Sequence, residues 1–448
     1  MIYNSFLFIW LFPIIFMVGN NLIVPYRKHF FLLASYGIYL YYNHWMTLAL
    51  IVVSLISFLT ARCLDKGKSQ RSILCTGIIV TILPLVVFKY DTVAPLGISF
   101  FTFQALSYEI DIYRKKYPAE QNLFNHLTYM AFFPSMIAGP INRYDHLMPQ
   151  LNTAEGFNRK LAERGLKMIL WGMFLKVVIA DRLQLYINPV FDNFLQESGS
   201  SLLMASLLYS IQLYTDFAGY SLMAIGSAAT LGYELKQNFH NPYFSIGITD
   251  FWHRWHITLA QWLRDYIYIP LGGSRCSKKK NYANILITFA VSGIWHGANW
   301  TFIVWGMLHG LFQIIEKMLG IQTLSKREKE DRFATIKNRS IRLGRIVITF
   351  FLITFLWIFF RMNTLADACV VIERIFTCQD MHFGICEKFI YFFIGIVFLK
   401  DLTDEIQPSH NPFYHPKTWV RWGTYLFIFT SILLFGVFDA GQFIYARF

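Results

Sequence analysis

Residues 281–315 form a run of 35 residues without Asp, Glu, Lys or Arg, yet the run includes His296 and His309. One helical crossing of a bilayer takes about 20 residues, so the run is long enough for a hairpin of two short crossings. We therefore expect the imidazole of His296 at membrane depth. An ionisable side chain is costly there, and it usually faces the protein interior or a water-filled cavity at a functional site.

The composition of the whole chain also predicts membrane insertion. Of its 448 residues, 55% are hydrophobic and only 15% charged, and the mean hydropathy is +0.41. These values exclude a single soluble core with a polar coat. The net charge of +13 would suggest nucleic-acid binding in a soluble protein. Here the basic residues cluster at the ends of apolar stretches and hold loops in the cytoplasm, so no nucleic-acid partner is predicted.

Apolar stretches between the basic clusters predict the membrane crossings. They lie at residues 1–24, 29–43, 45–61, 73–90, 95–112, 165–187, 201–235 (a pair), 284–317 (a pair), 343–362, 387–400 and 420–440. Several are too short for a straight crossing, so we expect about eleven crossings, with re-entrant and interfacial helices. No linker or repeat divides the chain. The prediction is one all-α, polytopic membrane helical bundle over residues 1–448, with its N-terminus outside.

The apolar segment at residues 127–151 is interrupted. Pro134, Gly139, Pro140 and Pro149 fall within it. Proline breaks the helical hydrogen-bond ladder, and non-helical backbone at membrane depth is tolerated only where protein or a water-filled cavity surrounds it. The segment therefore predicts a re-entrant pair of half-helices rather than one crossing.

Residues 249–268 are too polar to span a membrane. The residues at helical spacing on one face are Trp252, His256, Leu259 and Leu263. This pattern predicts one amphipathic helix that lies at the interface or lines a cavity, with His256 towards apolar surroundings. His253 and His256 resemble a zinc-binding pair, but no third ligand lies nearby in the sequence, so no metal is predicted.

His296 ends the first arm of the predicted hairpin, because the residues Gly297 to Asn299 break the helical pattern. A neutral imidazole at this depth suits a general base that meets one reactant from each side. The alternative is a structural histidine that locks the hairpin, and for His309 packing against the partner arm suffices. Asp181 and Asp216 are the acidic residues that stand out in apolar segments. Each is a buried hydrogen-bonding group or part of a site.

Five segments carry a resemblance to a known family. They are FFPSMIAGPINRYDHLMPQL (132–151), YTDFAGYSLMAIG (214–226), NFHNPYFSIGITDFWHRWHITLAQWLRDYIYIPLGGSR (238–275), VSGIWHGANWTFIVWGMLHG (291–310) and FIYARF (443–448). In residues and order they are similar to the membrane-bound O-acyltransferases (MBOAT), specifically the bacterial branch of the alginate O-acetylation protein and the D-alanyl teichoic acid transferase. The chain departs from alginate-like members at Leu222, where aspartate is usual, and at His253, where arginine is common.

The resemblance implies a helical bundle around a tunnel that brings an acyl donor from the cytoplasm and an acceptor from the other side to a catalytic histidine. The family's essential histidine matches His296, and its second histidine matches His256. We expect His296 to be the general base and His256 to orient the reactants or donate to the developing oxyanion. The residues expected along the substrate or donor tunnel are Trp295, Asn299, Trp252, Trp262 and Arg264.

The resemblance also implies the reaction. The expected function is transfer of an acyl group, in the simplest case acetyl, to hydroxyls of a cell-envelope or secreted polysaccharide. The co-substrate is an acyl thioester, acetyl-CoA or an acyl carrier protein, and no tightly bound cofactor is expected. The expected partners are membrane lipid, the cytoplasmic donor and an extracytoplasmic acetyltransferase, and the expected location is the bacterial cytoplasmic (inner) membrane.

Three alternatives remain open at the level of the sequence. The first is transfer of D-alanine from a carrier protein towards teichoic acid. The second is a membrane transporter with a histidine proton relay, although such proteins often show an internal repeat with paired broken helices and none is detectable here. The third is a membrane scaffold in which His256 and His296 are merely packed.

Overall fold

The computed structural model describes residues 6–66, 70–89, 95–153, 157–321, 336–377, 386–407 and 411–438. The terminal FIYARF motif lies outside these ranges. Within them every regular element is helical, which confirms the predicted fold class. The chain divides into two compact units. The first unit holds residues up to Met173 with Tyr220–Gln237, and the second holds Phe174–Gly219 with residues from Asn238 onwards. The single domain expected from the sequence stays a prediction.

The first unit is built from short and medium-length helices. They are α1 (Phe6–Asn21), α2 (Val24–Asn43), α3 (Thr47–Lys66), α4 (Gln70–Lys89), α5 (Ile98–Tyr113), α6 (Leu123–Met130), α7 (Phe133–Met136), α8 (Tyr144–Thr153) and α9 (Arg159–Met173). Helices α2 to α5 coincide with the apolar stretches from which they were predicted. α3, α4 and α5 pack against one another.

The segment at residues 127–151 is interrupted as predicted, but it forms three helices, α6, α7 and α8, instead of a pair, and Pro149 lies inside α8. Residues 129–142 are all buried. Side chains satisfy several of the polar groups there, because Gln104 donates to the Tyr129 carbonyl at 2.6 Å and Ser35 accepts from the Phe133 amide at 3.1 Å. The protein itself therefore shields the broken backbone. Its re-entry into a membrane stays a prediction.

The second unit carries the histidines of interest. Its helices are a π-helical segment (Phe174–Ala180), α10 (Asp181–Asp192), the first part of α11 (Gly199–Thr230), α12 (Ile248–Trp252), α13 (Ile257–Leu263), a second π-helical segment (Arg264–Tyr268), α14 (Lys278–His296), α15 (Trp300–Met318), α16 (Ile336–Arg361), α17 (Leu365–Thr377), α18 (Lys388–Ile406) and α19 (Thr418–Phe435). The hairpin predicted around His296 is present as α14 and α15.

The pair of crossings predicted at residues 201–235 is wrong, because α11 is one continuous helix of 32 residues. The sequence offers glycines within this stretch but no proline to end a helix. Gly226 serves close packing instead of a turn: a Cβ there would lie 2.5 Å from the carbonyl oxygen of Gly165 on α9. Small residues at such contacts let two helix backbones approach each other.

Four helical stretches in the described ranges are long and apolar enough to cross a membrane. They are Tyr26–Lys66, Gln70–Phe88, Ser340–Arg361 and Thr418–Phe435. The total of about eleven crossings, and the tunnel that they would surround, stay predictions.

A buried ionic cluster holds the first π-helical segment in the second unit. Lys176 Nζ lies 2.5 Å from Asp181 Oδ1 and 2.7 Å from Asp216 Oδ1, and all three side chains are buried. An isolated buried charge costs several kcal/mol, which ionic partners offset. The two aspartates that stood out in the sequence therefore share Lys176 as their partner.

The hairpin of α14 and α15 depends on a close backbone crossing. A Cβ atom at Gly306 would clash with the Phe289 carbonyl oxygen, and one at Gly293 would clash with the Phe302 carbonyl oxygen. These are backbone atoms, which cannot turn away as a flexible side chain can. The crossing fixes how the end of α14, with His296, lies beside α15.

We expect Gly306→Ala to destabilise the protein by about 1–3 kcal/mol, because the added methyl group overpacks this crossing. Helix propensity alone would favour alanine over glycine by about 1 kcal/mol. A loss of stability would therefore show that the packing effect outweighs helix propensity. The measurement is the melting temperature of the purified protein in detergent. Gly395→Ala in α18 is the matched control, since no atom lies within 4 Å of its added Cβ. Equal melting temperatures for the two variants would contradict the packing argument.

Candidate active site

Aromatic side chains of the second unit enclose the imidazole of His296. Its ring centroid lies 4.5 Å from that of Trp295, 4.9 Å from Trp305 and 5.2 Å from Phe360. The histidine is only 2% exposed. Apolar walls of this kind exclude water from the surroundings of the imidazole.

The single amphipathic helix predicted at residues 249–268 is wrong. α12 ends at Trp252, α13 begins at Ile257, and the last five residues are π-helical. Between the two α-helices, His256 has φ 41° and ψ 54°, in the left-handed region. A residue with a Cβ pays roughly 1–2 kcal/mol there, so surrounding contacts must impose the conformation. Periodicity alone could not reveal this break.

Asn238 supplies the contacts that hold His256. Its backbone carbonyl accepts from the Ile257 amide at 2.9 Å. Its side-chain Oδ1 lies 3.1 Å from His256 Nδ1, 3.2 Å from the Thr258 amide nitrogen and 2.9 Å from Thr258 Oγ1. Asn238 and His256 are both buried. One asparagine thus binds the backbone on one side of the left-handed residue and its imidazole as well.

The two predicted catalytic histidines share Trp295 as a neighbour. The ring centroid of Trp295 lies 6.4 Å from that of His256 and 4.5 Å from that of His296. The edge of Phe217 contacts the other histidine, His256, with centroids 4.7 Å apart. The structure therefore brings the pair into one aromatic cluster.

Charged groups anchor α12 beside this cluster. Arg254 pairs with Asp250, one helical turn away, at 3.2 Å and forms two hydrogen bonds of 2.8 and 3.1 Å with Glu405. Glu316 accepts from the Thr249 amide at 2.9 Å and from its hydroxyl at 2.7 Å. A carboxylate at the start of a helix satisfies amide groups that have no partner within the helix.

His309 has a polar partner that the sequence did not suggest. Its Nδ1 accepts a hydrogen bond of 3.2 Å from the indole Nε1 of Trp252. The imidazole of His309 is fully buried, and its centroid lies 4.9 Å from that of Trp305. Trp305 also contacts His296, so the indole of Trp305 links His309 to the predicted base.

A cavity of about 360 Å³ lies beside α12 and α13. Its lining residues are Thr249, Trp252, His253, Ile257, Ala260, Gln261, Leu263, Arg264, Tyr268, Ile285, Thr288, Phe289, Gln313 and Lys317. Its volume falls within the usual range for small-molecule sites. Cationic side chains from Arg264 and Lys317 occur together with the aromatic rings of Trp252 and Phe289, so the lining suits a ligand with one anionic and one apolar part.

The predicted tunnel residues fall in different places. Trp252 and Arg264 line the cavity. Trp262 is buried with its ring centroid 5.1 Å from Tyr266, and Trp295 lies between the two histidines as described. Asn299 is exposed, and its amide donates to a backbone carbonyl at 3.2 Å. The roles expected for these five residues stay predictions.

Rings connect the cavity to His296. Trp252, in the cavity wall, lies 5.8 Å from Trp305, and Trp305 lies 4.9 Å from His296. The sequence pattern indicated no role for Asn238 and only packing for His309. Their polar contacts join residues 18 and 57 positions apart. No local spacing rule covers such distances.

Similarity to known proteins identifies the family of this chain. The model of the MBOAT, membrane-bound O-acyltransferase family, matches residues 31–327. A probable alginate O-acetylase AlgI from Pseudomonas aeruginosa is 35% identical over 84% of this chain and 75% of its own length. A peptidoglycan O-acetyltransferase from Helicobacter pylori is 31% identical over 83% of this chain and 79% of its own.

A more distant relative is the teichoic acid D-alanyltransferase of Bacillus subtilis, which is 28% identical over 63% of this chain and 76% of its own length. The family match extends across α12 to α15 and so includes His256, His296 and the cavity beside them. The relatives are acyltransferases by name, which sets the transporter and scaffold alternatives aside. The chain belongs to the membrane-bound O-acyltransferase family.

Proposed function

We propose that this enzyme takes an acetyl group from a cytoplasmic thioester and passes it to hydroxyls of a cell-envelope or secreted polysaccharide, with His296 as the general base. The proposed location is the bacterial cytoplasmic membrane, and the proposed partner is an extracytoplasmic acetyltransferase. The observation that carries the proposal is the enclosure of His296 by Trp295, Trp305 and Phe360. A buried imidazole in apolar surroundings is neutral and able to accept a proton.

The chemistry follows from this neutral ring. The acceptor oxygen attacks the thioester carbonyl carbon while the imidazole of His296 takes the hydroxyl proton. The tetrahedral intermediate then collapses, the carbon–sulfur bond breaks, and the leaving thiolate takes the proton from the imidazolium. Atoms and charge balance without a metal or a bound cofactor. The surrounding rings keep water away from the thioester.

The cavity beside α12 and α13 supports the proposal that the donor is an acyl thioester of coenzyme A. Phosphate groups of a coenzyme A thioester would meet Arg264 and Lys317, since guanidinium and ammonium groups form charge-assisted hydrogen bonds with phosphate. The apolar part of the donor would lie against Trp252, whose neighbour Trp305 contacts His296.

D-Alanyl transfer from a carrier protein is the alternative reaction. Relatives that carry that name are less similar, at 28–29% identity, than the alginate and peptidoglycan acetylases at 31–40%. The similarity therefore favours acetyl transfer to a polysaccharide.

His296→Ala is expected to lower acetyl transfer by about 100-fold or more, because general bases contribute about that much to rates. The assay follows label from radiolabelled acetyl-CoA into deacetylated alginate with purified enzyme in lipid nanodiscs, and it also records thioester turnover. His296→Gln repeats the test with a side chain closer in size. Melting temperatures establish that both variants are folded.

His44→Asn is the matched control for this histidine. His44 is exposed, so its imidazole can be replaced without disturbing a packed interior. It should transfer acetyl groups at the wild-type rate. Undiminished turnover in a folded His296→Ala protein would remove His296 as the base.

Arg264→Gln and Lys317→Gln are expected to raise KM for acetyl-CoA by about threefold to tenfold each, the loss of one charge-assisted contact. A short acetyl thioester of cysteamine, which has no phosphate, should be affected little. Arg275→Gln is the control, because Arg275 is exposed and does not line the cavity. Equal effects on both thioesters would show that the cavity does not hold phosphate.

Trp252→Phe and His309→Leu are expected to impair donor use through one shared hydrogen bond. Each variant should raise KM for acetyl-CoA by about threefold to tenfold, the usual worth of such a bond. The double variant should be no worse than the poorer single variant. His309→Asn keeps an acceptor near the position of Nδ1 and should retain most activity. Additive losses in the double variant would mean that the two residues act separately.

A further inference from the structure

We propose that Asn238 is a positioning residue that fixes His256 as the tautomer with its proton on Nδ1, so that Nε2 accepts a hydrogen from the hydroxyl-bearing acceptor. This inference rests on the proposed function and names the half of the reaction in which His256 takes part. It also decides between the two roles expected for His256. A ring held in this form orients the acceptor and does not donate to the oxyanion.

The hydrogen bonds of Asn238 determine which of its side-chain atoms is the oxygen. The backbone amide of Thr258 lies 3.2 Å from the atom assigned as Oδ1. An amide N–H can only donate, so this atom must be the acceptor of the asparagine side chain and cannot be its NH₂ group. The Thr258 hydroxyl, 2.9 Å from the same atom, donates to it as well.

The identity of that oxygen then sets the tautomer of His256. Nδ1 of the imidazole lies 3.1 Å from Oδ1, and an amide oxygen has no hydrogen to give. Nδ1 must therefore carry the hydrogen of this bond. A neutral imidazole has one N–H, so Nε2 presents a lone pair. The backbone amide of Thr258 thus determines which ring nitrogen of His256 carries the hydrogen.

Backbone hydrogen bonds hold the turn at His256 without the asparagine side chain. The Asn238 carbonyl accepts from the Ile257 amide, and the His240 amide donates to the Arg254 carbonyl, both at 2.9 Å. These two bonds clamp the left-handed turn on either side. Substitution of the Asn238 side chain should therefore change the tautomer more than the path of the chain.

The position of His256 suits contact with the acceptor. Its ring and that of His296 both lie beside the indole of Trp295. His296 takes the proton of the attacking hydroxyl in the proposed reaction. A second imidazole with a bare nitrogen, beside the same indole, adds an acceptor for hydrogen bonds from the hydroxyl-rich substrate.

The direct test is the protonation of the His256 ring in wild-type protein labelled with ¹⁵N at histidine. Solid-state NMR in lipid bilayers separates protonated from bare ring nitrogens, and the His256 signals are those lost in His256→Asn. We expect a protonated Nδ1 and a bare Nε2 in the wild type. A protonated Nε2 with a bare Nδ1 would overturn the proposal whatever the activity of the enzyme.

Variants of Asn238 supply the second test. Asn238→Leu removes the acceptor at similar volume, and the spectrum should then show Nε2–H. Asn238→Asp keeps an acceptor oxygen and should keep the wild-type form. Thr258→Val is the matched control, because it removes one donor to Oδ1 and leaves the histidine bond intact. An unchanged spectrum in folded Asn238→Leu would contradict the proposed role.

Kinetics then connect the tautomer to the acceptor. Asn238→Leu should raise KM for deacetylated alginate by about fivefold to tenfold and leave KM for acetyl-CoA near the wild-type value. Asn238→Asp should restore most of the loss. Equal losses in both variants would indicate a purely structural role and overturn the proposal. If the wild type transfers no acetyl group, the proposed function fails, and the NMR result still judges the tautomer separately.

Discussion

Buried polar groups in this chain must find their partners within the protein, because an apolar environment offers no water to replace them. Asn238 meets this requirement for His256 and Thr258 with a single oxygen. Lys176 meets it for two aspartates. Each solution ties together segments that are distant in sequence. The need for an internal partner also fixes the position of each buried polar group. Any other position would leave a hydrogen-bond donor or acceptor without a partner, which is costly in an apolar environment.

Aromatic packing supplies the second constraint. Trp305 contacts Trp252, His296 and His309, so one fully buried indole touches the cavity wall, the predicted base and the third histidine. Close-packed aromatic rings resist small displacements because there is no empty space between them into which a ring could move. The glycine crossing of α14 and α15 fixes the same hairpin at the level of the backbone. Rigid placement of an imidazole is what general-base catalysis needs.

The sequence predicted those features that depend on local pattern. Apolar stretches between basic clusters located α2 to α5, and the glycine after His296 located the hairpin turn. The motifs carried the family resemblance. The break at His256 escaped, because it follows from hydrogen bonds to Asn238, 18 residues earlier. The unbroken α11 escaped because the length of an apolar stretch does not distinguish one long helix from two short crossings.

The hydrogen bond between Trp252 and His309 connects the wall of the proposed donor cavity to the residues around His296. Trp252 forms part of the cavity wall, whereas His309 lies beside Trp305, which in turn contacts His296. An acyl donor bound in the cavity would contact the indole of Trp252, whose N–H donates a hydrogen bond to His309. Any shift of that indole must either break the bond or move the histidine with it. Under the proposed function, a donor in the cavity would therefore act on the surroundings of His296 through Trp252 and Trp305. His256, which Asn238 holds, lies in the same aromatic cluster, because Trp295 contacts both histidines.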